Sequence, residues 1–372
     1  MIERILYKEM AYQFFKGKVI LLYGPRQTGK TTLIKKLLNN CQESVSKLNA
    51  DDPLIKQLLT SPNTEQLRQI IGKNKVIFID EAQQIPNIGL TAKLIFDTFS
   101  DIQLILSGSS SFELASTTQE PLTGRKRTFF LFPVSWREWQ EHCGYVKAEQ
   151  DLENRLVFGF YPDVLSKLDN QEIVLRELAE SYLYKDVLLY GNLKKPNEIK
   201  SLLQALSFQV GSEISYNELG QITGLDPKTV ERYIDILEKA YIVFRLNSFG
   251  RNLRNEINTG KKIYFYDNGI RNAVISQFSP LKIRQDVGVL WENFIISERK
   301  KRNSYLNYFT NTYFWRTVQQ QEIDYIEEHN GNISAFEIKF NSNRKVKIPK
   351  TFSNAYEAEI AFINRSNFRE YV

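Results

Sequence analysis

The sequence predicts an α/β protein: a parallel β-sheet with crossover helices in residues 1–150, a helical region over 151–285, and a second, smaller α/β unit over 286–372. Three observations carry this. Short apolar runs alternate with amphipathic stretches through the first third. Apolar residues recur at helical spacing through the middle. From Gly288 onward the pattern reads helix, strand, strand, strand, helix, strand. At 372 residues the chain is too long for one ordinary core, and its 42% hydrophobic and 25% charged residues are those of a globular protein.

Taken in order, the expected strands of the first domain are residues 19–23, 44–48, 76–79 and 102–106, with a fifth at 128–132. Pro133, Trp136 and Trp139 open a helical stretch, and the charged residues around 147–153 suggest the domain boundary. Helical periodicity follows over 173–188 and 199–210. Residues 216–223 read as a short helix, Gly224-Leu225-Asp226 as a turn, and 227–240 as a second helix capped by Asp226 with Pro227 in its first turn. Residues 242–246 and 262–266 then read as strands that supply a wing. In the last unit the expected elements are a helix at 290–300, strands at 312–317, 322–327 and 334–340, a helix at 349–356 and a strand at 359–364.

The sharpest chemical signal is Gly24-Pro25-Arg26-Gln27-Thr28-Gly29-Lys30-Thr31, which follows an apolar strand and, with Thr32, opens an amphipathic run. That context is what a P-loop requires. The glycines let the backbone fold tightly and aim its N–H groups at phosphate oxygens, and the helix N-terminus adds a favourable dipole. Lys30 then bridges the phosphates at the reacting end, and the Thr31 hydroxyl is a magnesium ligand. ATP and Mg2+ are the ligands expected. Further on, Val76-Ile77-Phe78-Ile79-Asp80-Glu81 sets two acids at the end of a buried strand. Asp80 suits magnesium, and Glu81 suits a base that orients or deprotonates attacking water. The strand at 102–106 ends in Ser107-Gly108-Ser109-Ser110-Ser111, whose hydroxyls, Ser109 above all, suit contact with the terminal phosphate or the water. Thr123-Gly124-Arg125-Lys126-Arg127 reads in two ways. Arg125 or Arg127 could neutralise transition-state charge in this subunit or a neighbour's, or the segment is a solvated basic loop.

These residues resemble a large group of bacterial and archaeal AAA-type ATPases, through the P-loop, the Asp80-Glu81-Ala82-Gln83 sequence and the serine-rich strand end. Phe160-Tyr161-Pro162-Asp163, the winged-helix-like middle and Tyr264-Phe265-Tyr266-Asp267-Asn268-Gly269 resemble the C-terminal region that such ATPases carry. One departure is visible: Phe160-Tyr161-Pro162 stands where a Gly-Gly-Phe-Pro-like turn is commoner. The resemblance spans nearly the whole chain. It implies a P-loop NTPase core of the ASCE/AAA type with a parallel sheet, a winged helix, and a restriction-endonuclease-like α/β domain at the end.

Within that last domain, Glu292 falls on a helix, Asp324 on a strand, and Glu337 and Lys339 on one face of the next strand. The set is similar to the Asp, Glu-x-Lys arrangement of restriction-endonuclease-like nucleases. Asp324 and Glu337 would hold a divalent metal, Glu292 would be an accessory ligand, and Lys339 would orient water. The competing readings are a solvated strand face with a cross-strand ion pair, and a degenerate fold kept for binding. Lys228, Thr229 and Arg232 share one side of the second middle helix, with Arg251 and Arg254 near the wing. They suit contacts to phosphates or base edges, unless the winged helix is a packing module.

Composition narrows the classes. Two cysteines, Cys41 and Cys143, build no disulfide framework, and two histidines, His142 and His329, give a zinc site or a Ser-His-Asp triad almost nothing to work with. No apolar run approaches the roughly 20 residues of a membrane span, and Met1 to Gln13 is charged rather than signal-like, so a cytoplasmic protein with no membrane partner is expected. A net charge of +6 leans mildly toward a polyanion. The reading as a whole is an AAA-type ATPase whose nucleotide cycle serves DNA binding or processing, with double-stranded DNA as a partner and a homo-oligomer open. The competing class is a slow nucleotide switch whose C-terminal half binds a protein partner without cutting anything. A phosphotransferase is disfavoured because the Asp-Glu pair suits water as acceptor.

Overall fold

Five short strands form the first sheet, and the three inner ones are rich in Val, Ile, Leu and Phe because strands buried on both faces need continuous apolar sequence. In the computed structural model they are β1 (Val19–Tyr23), β2 (Val45–Asn49), β3 (Val76–Asp80), β4 (Gln103–Gly108) and β5 (Lys126–Phe130). The structure describes residues 1–109, 121–181, 196–250, 260–317, 319, 321–341 and 350–372. Ser110, Ser111, Arg251, Arg254 and residues 182–188 and 349 of the expected helices lie outside the described residues.

All pairings in this sheet are parallel, in the order β2-β3-β4-β1-β5. β4 therefore runs between β1 and β3, and it is buried along its whole length. Parallel pairing brings the carboxyl ends of β1, β3 and β4 to the same edge. Helix Ile88–Thr98 packs Ile88, Ala92 and Ile95 on the sheet, and helix Lys30–Asn39 buries Leu33, Ile34, Leu37 and Leu38.

The chain divides into two compact units, residues 1–134 with Lys239–Tyr241, and residues 135–238 with 242–372. This spatial division differs from the one expected near residue 150. A helix, Tyr145–Phe158, runs unbroken through the charged residues, which serve as its polar face. Glu153 pairs with Arg365 at 2.9 Å and Glu149 pairs with Arg369, so these charges join segments of one unit. Nor do residues 285 and 286 separate compact units. A mixed seven-stranded sheet gathers β6 (Glu213–Ile214), β7 (Val243–Ser248), β8 (Lys261–Phe265), β9 (Asn311–Arg316), β10 (Glu322–His329), β11 (Asn332–Ile338) and β12 (Ile360–Ile363) in the order β12-β11-β10-β9-β7-β8-β6. Parallel pairing of β7 with β9 joins strands from either side of residue 285.

Helix Pro196–Phe208, β6, helices Tyr216–Thr223 and Pro227–Lys239, and the antiparallel pair β7 and β8 follow one another, with β6 closing against β8. Ser215 and Asp226 accept the N–H groups of Glu218 and Thr229, so a side chain caps each of the two short-loop helices. Helix Val287–Tyr305 buries Leu290, Trp291, Phe294, Ile295 and Ile296.

Candidate nucleotide site

The loop after β1 is held in shape by its own polar groups. Gln27 and Gly29 take φ of 58° and 92°, and Gly24 takes 150°. A side chain at Gly24 would bring its Cβ within 2.1 Å of the Leu131 carbonyl oxygen, so only glycine fits there. Thr28 is buried and donates to the Pro25 carbonyl at 2.9 Å. Arg4 braces the turn from outside, donating to the carbonyls of Thr28 at 2.7 Å and Phe132 at 2.6 Å.

Gly29 is the N-cap of helix Lys30–Asn39, and no side chain caps that end. Pro25 is buried, Arg26 half-buried, and Gln27 and Thr32 exposed around the same turn. The Lys30 ammonium is buried and folds back onto the carbonyls of Gly24 at 2.9 Å and Pro25 at 2.7 Å. A loop of left-handed positions leading into an uncapped helix is a nest of N–H donors suited to phosphate.

The Thr31 hydroxyl donates to Oδ2 of Asp80 at 2.8 Å, while the Ser107 hydroxyl donates to Oδ1. Three elements thus converge on one carboxylate: the loop helix, β3 and β4. A hydroxyl and a carboxylate oxygen in contact are hard oxygen donors of the kind magnesium takes beside substrate phosphates, so the residues fit that ion. Glu81 follows in the left-handed region, φ 50°, and starts the turn Ala82–Gln84. Gln83 donates from Nε2 to Oε2 of Glu81 and, at 3.2 Å, to the Ser109 hydroxyl.

Arg125 is not brought to this edge. Its carbonyl accepts the N–H of Val19, the first residue of β1, and its guanidinium pairs with Asp97 at 2.9 Å. The four steps from Val19 to Tyr23 span on the order of 13 Å, so Arg125 lies at the opposite edge from the loop of its own chain. Arg127, level with Ile20, pairs with Glu9 at 3.6 Å.

The C-terminal carboxylates form a second polar centre. Asp324 and Glu337 sit one step beyond the paired residues Tyr325 and Phe336, and Lys339 reaches both, at 2.8 Å to Asp324 and 3.2 Å to Glu337. A bulge between Ile323 and Ile326 in β10 interrupts its register with β9 at Asp324, and the Ile338 N–H donates to the Asp324 carboxylate at 2.8 Å. Burial and the Asp324 charge push Glu337 up to about 8, against the pull of Lys339. Lys339 is half-buried, yet Asp324 and Glu337 hold it charged above the ordinary lysine range.

Glu292 takes different partners. It accepts from the Tyr264 hydroxyl at 2.7 Å and lies 3.9 Å from Lys262, and burial together with Asp324 pushes it up to about 7. Among the described residues no three His, Cys, Asp or Glu side chains form a group that could hold a metal ion. Lys228 and Arg232 are exposed on helix Pro227–Lys239, while half-buried Thr229 bonds to Asp226.

Sequence reasoning missed Arg4, Gln83, Lys262 and Tyr264 as members of these centres. Gln83 and Tyr264 lie inside motifs that drew notice, and Lys262 alternates with Tyr264 along β8. Nothing local marks Arg4, whose partners Thr28 and Phe132 are distant in sequence.

Residues 16–140 match the family model described as an AAA domain. Residues 149–286 and 287–368 match two families described as domains of unknown function, DUF8612 and DUF4143. The chain is 25% identical over 335 residues to an uncharacterized protein of Mycobacterium tuberculosis, covering 89% of this chain and 72% of that one. It is 23% identical over 299 residues to an uncharacterized protein of Haemophilus influenzae, covering 74% of each. Among solved structures it shares a fold with the Walker-type ATPase of Pyrococcus abyssi, with a TM-score of 0.50 and 15% identity over 74% of this chain and 96% of that one. Among the described residues no helix is long and apolar enough to cross a membrane.

Proposed function

We propose that the chain binds ATP with magnesium in the loop after β1 and hydrolyses it. The observation that carries this reading is the contact of Thr31 with Asp80, together with the buried Lys30 ammonium folded onto the loop carbonyls of Gly24 and Pro25. Lys30 would exchange the carbonyls of Gly24 and Pro25 for phosphate oxygens, and the loop amides from Arg26 to Thr32 would surround the remaining phosphate charge. Magnesium, held by the Thr31 hydroxyl and the Asp80 carboxylate, would offset negative charge on the phosphates. Glu81 is the base that takes the proton of the attacking water, and Ser109 meets the terminal phosphate. Arg125 or Arg127, far from the loop of its own chain, would serve a neighbouring copy in a homo-oligomer.

Lys30→Ala should abolish nucleotide binding or turnover. Glu81→Gln should keep binding and slow hydrolysis by about two orders of magnitude or more, within the usual range for a general base. Phosphate release and fluorescent-nucleotide titration measure the two effects. Turnover in the Glu81 variant equal to that of the parent would remove its catalytic role.

The nucleotide cycle would serve DNA binding or processing by the C-terminal unit. Support comes from the helix and strand order around Tyr216–Thr223 and Pro227–Lys239, which is that of a winged helix, with Lys228 and Arg232 exposed. Asp324, Glu337 and Lys339 would be the core of a restriction-endonuclease-like centre, with Glu292 as accessory ligand. One observation favours the second reading, a slow switch that binds a protein partner: Lys339 already pairs with Asp324 and Glu337, as in a structural ion-pair network.

A further inference from the structure

Gln83 has a satisfied half and an unsatisfied half. It is 5% exposed, in the turn just beyond β3, and its amide nitrogen donates to both the Glu81 carboxylate and the Ser109 hydroxyl. Its carbonyl oxygen Oε1 is buried with no hydrogen-bond partner. A flipped amide would turn that oxygen against the Glu81 carboxylate, so the neighbouring charge dictates the orientation. Leaving a buried acceptor unpaired is unfavourable, and such an atom calls for an explanation.

We propose that Gln83 positions the attacking water, its Oε1 accepting one water proton while Glu81 accepts the other. This rests on the hydrolase reading above. Two acceptors fix both O–H directions of one water molecule and leave an oxygen lone pair for the terminal phosphorus. Attack forms the new P–O bond and breaks the bond to the nucleoside diphosphate, and the released proton goes to Glu81. The products are the diphosphate and inorganic phosphate. Through its nitrogen, Gln83 also ties the base to Ser109 at the end of β4, so base, water acceptor and phosphate-contacting hydroxyl form one hydrogen-bonded group. Orientation of this kind affects the chemical step and leaves ground-state binding of nucleotide unaltered.

The test compares the full chain with Gln83→Leu and Gln83→Met, the second being unbranched and of similar length in case the first does not fold. MgATP turnover, KM and the affinity for a non-hydrolysable ATP analogue are measured for each. The expected result is a kcat lowered at least tenfold, with KM and analogue affinity within about threefold of the parent. Adding Gln83→Met to Glu81→Gln should lower kcat by much less than it does in the parent, because both groups act on one water. An unchanged kcat in the folded Gln83 variants, or a loss confined to KM, overturns the inference. Turnover unaffected by Glu81→Gln would instead sink the underlying assignment of the base.

Discussion

Asp80 receives a hydroxyl on each carboxylate oxygen, Thr31 on one and Ser107 on the other, and these two donors come from elements on either side of it in sequence. The side chain is therefore fixed in direction before any ligand arrives, which is what pre-organisation of a metal-holding acid requires. Asp286 illustrates the same logic for stability. Burial would raise its pKa, but hydrogen bonds from Arg284 and Arg271 outweigh that and bring it down to about 2. A carboxylate depressed in the folded state adds stability that is fully present above its unfolded pKa, and that stability is lost as the pH falls through about 2. Asp286→Asn should accordingly lose about 2 kcal/mol at neutral pH and flatten the fall in stability between roughly pH 4 and 2. Urea unfolding followed across that window checks it, and an unchanged slope would show that the pair contributes nothing.

At the scale of elements, β3 and β4 bring Asp80 and Ser107 together because both strands are buried and both end at the edge where the loop after β1 begins. The motifs of the C-terminal unit do something else. Asp267 accepts N–H groups from Phe160 at 2.7 Å, Gly269 at 2.8 Å and Ile270 at 3.3 Å, locking the turn after helix Tyr145–Phe158 to the start of helix Asn268–Val274. A side chain at Gly159 would strike that carboxylate. Asn268 and Asn272 add bonds to the carbonyls of Leu156 and Val157. The segments beginning at Phe160 and Tyr264 are thus two halves of one structural joint. Asp267→Ala would leave three buried donors without an acceptor, and the expected cost is about 3 kcal/mol or more, read from chemical denaturation. A loss below about 1 kcal/mol would mean that water or a neighbour replaces the carboxylate.

At the scale of the molecule, a unit that carries the proposed nucleotide loop and a mixed-sheet unit share one chain, and turnover assays test the proposed coupling between them. If DNA is the partner, double-stranded DNA should raise ATP turnover severalfold, and the rise should shrink in Lys228→Ala with Arg232→Ala and at high salt. Cleavage of that DNA with magnesium or manganese, lost in Lys339→Ala, would mark the C-terminal centre as a nuclease. Absence of both effects would leave the switch reading.

The loop after β1, its strand and its helix are legible in the chain because each depends on neighbours a few residues away: glycine where φ is positive, apolar runs where both faces are covered, and a lysine and threonine at the helix start. The strands after Gly288 were legible for the same reason. Strand order was not, and much of the site depends on it. Running β4 between β1 and β3 sets Ser107 on Asp80 and brings Gln83 to Ser109, while the parallel register of β5 with β1 carries Arg125 to the far edge. Likewise, a bulge in β10 and the packing of one long helix decided that Lys339 joins Asp324 to Glu337 while Glu292 turns to Tyr264. Contacts between residues distant along the chain are selected by the packing of whole elements, and no short stretch of residues encodes them.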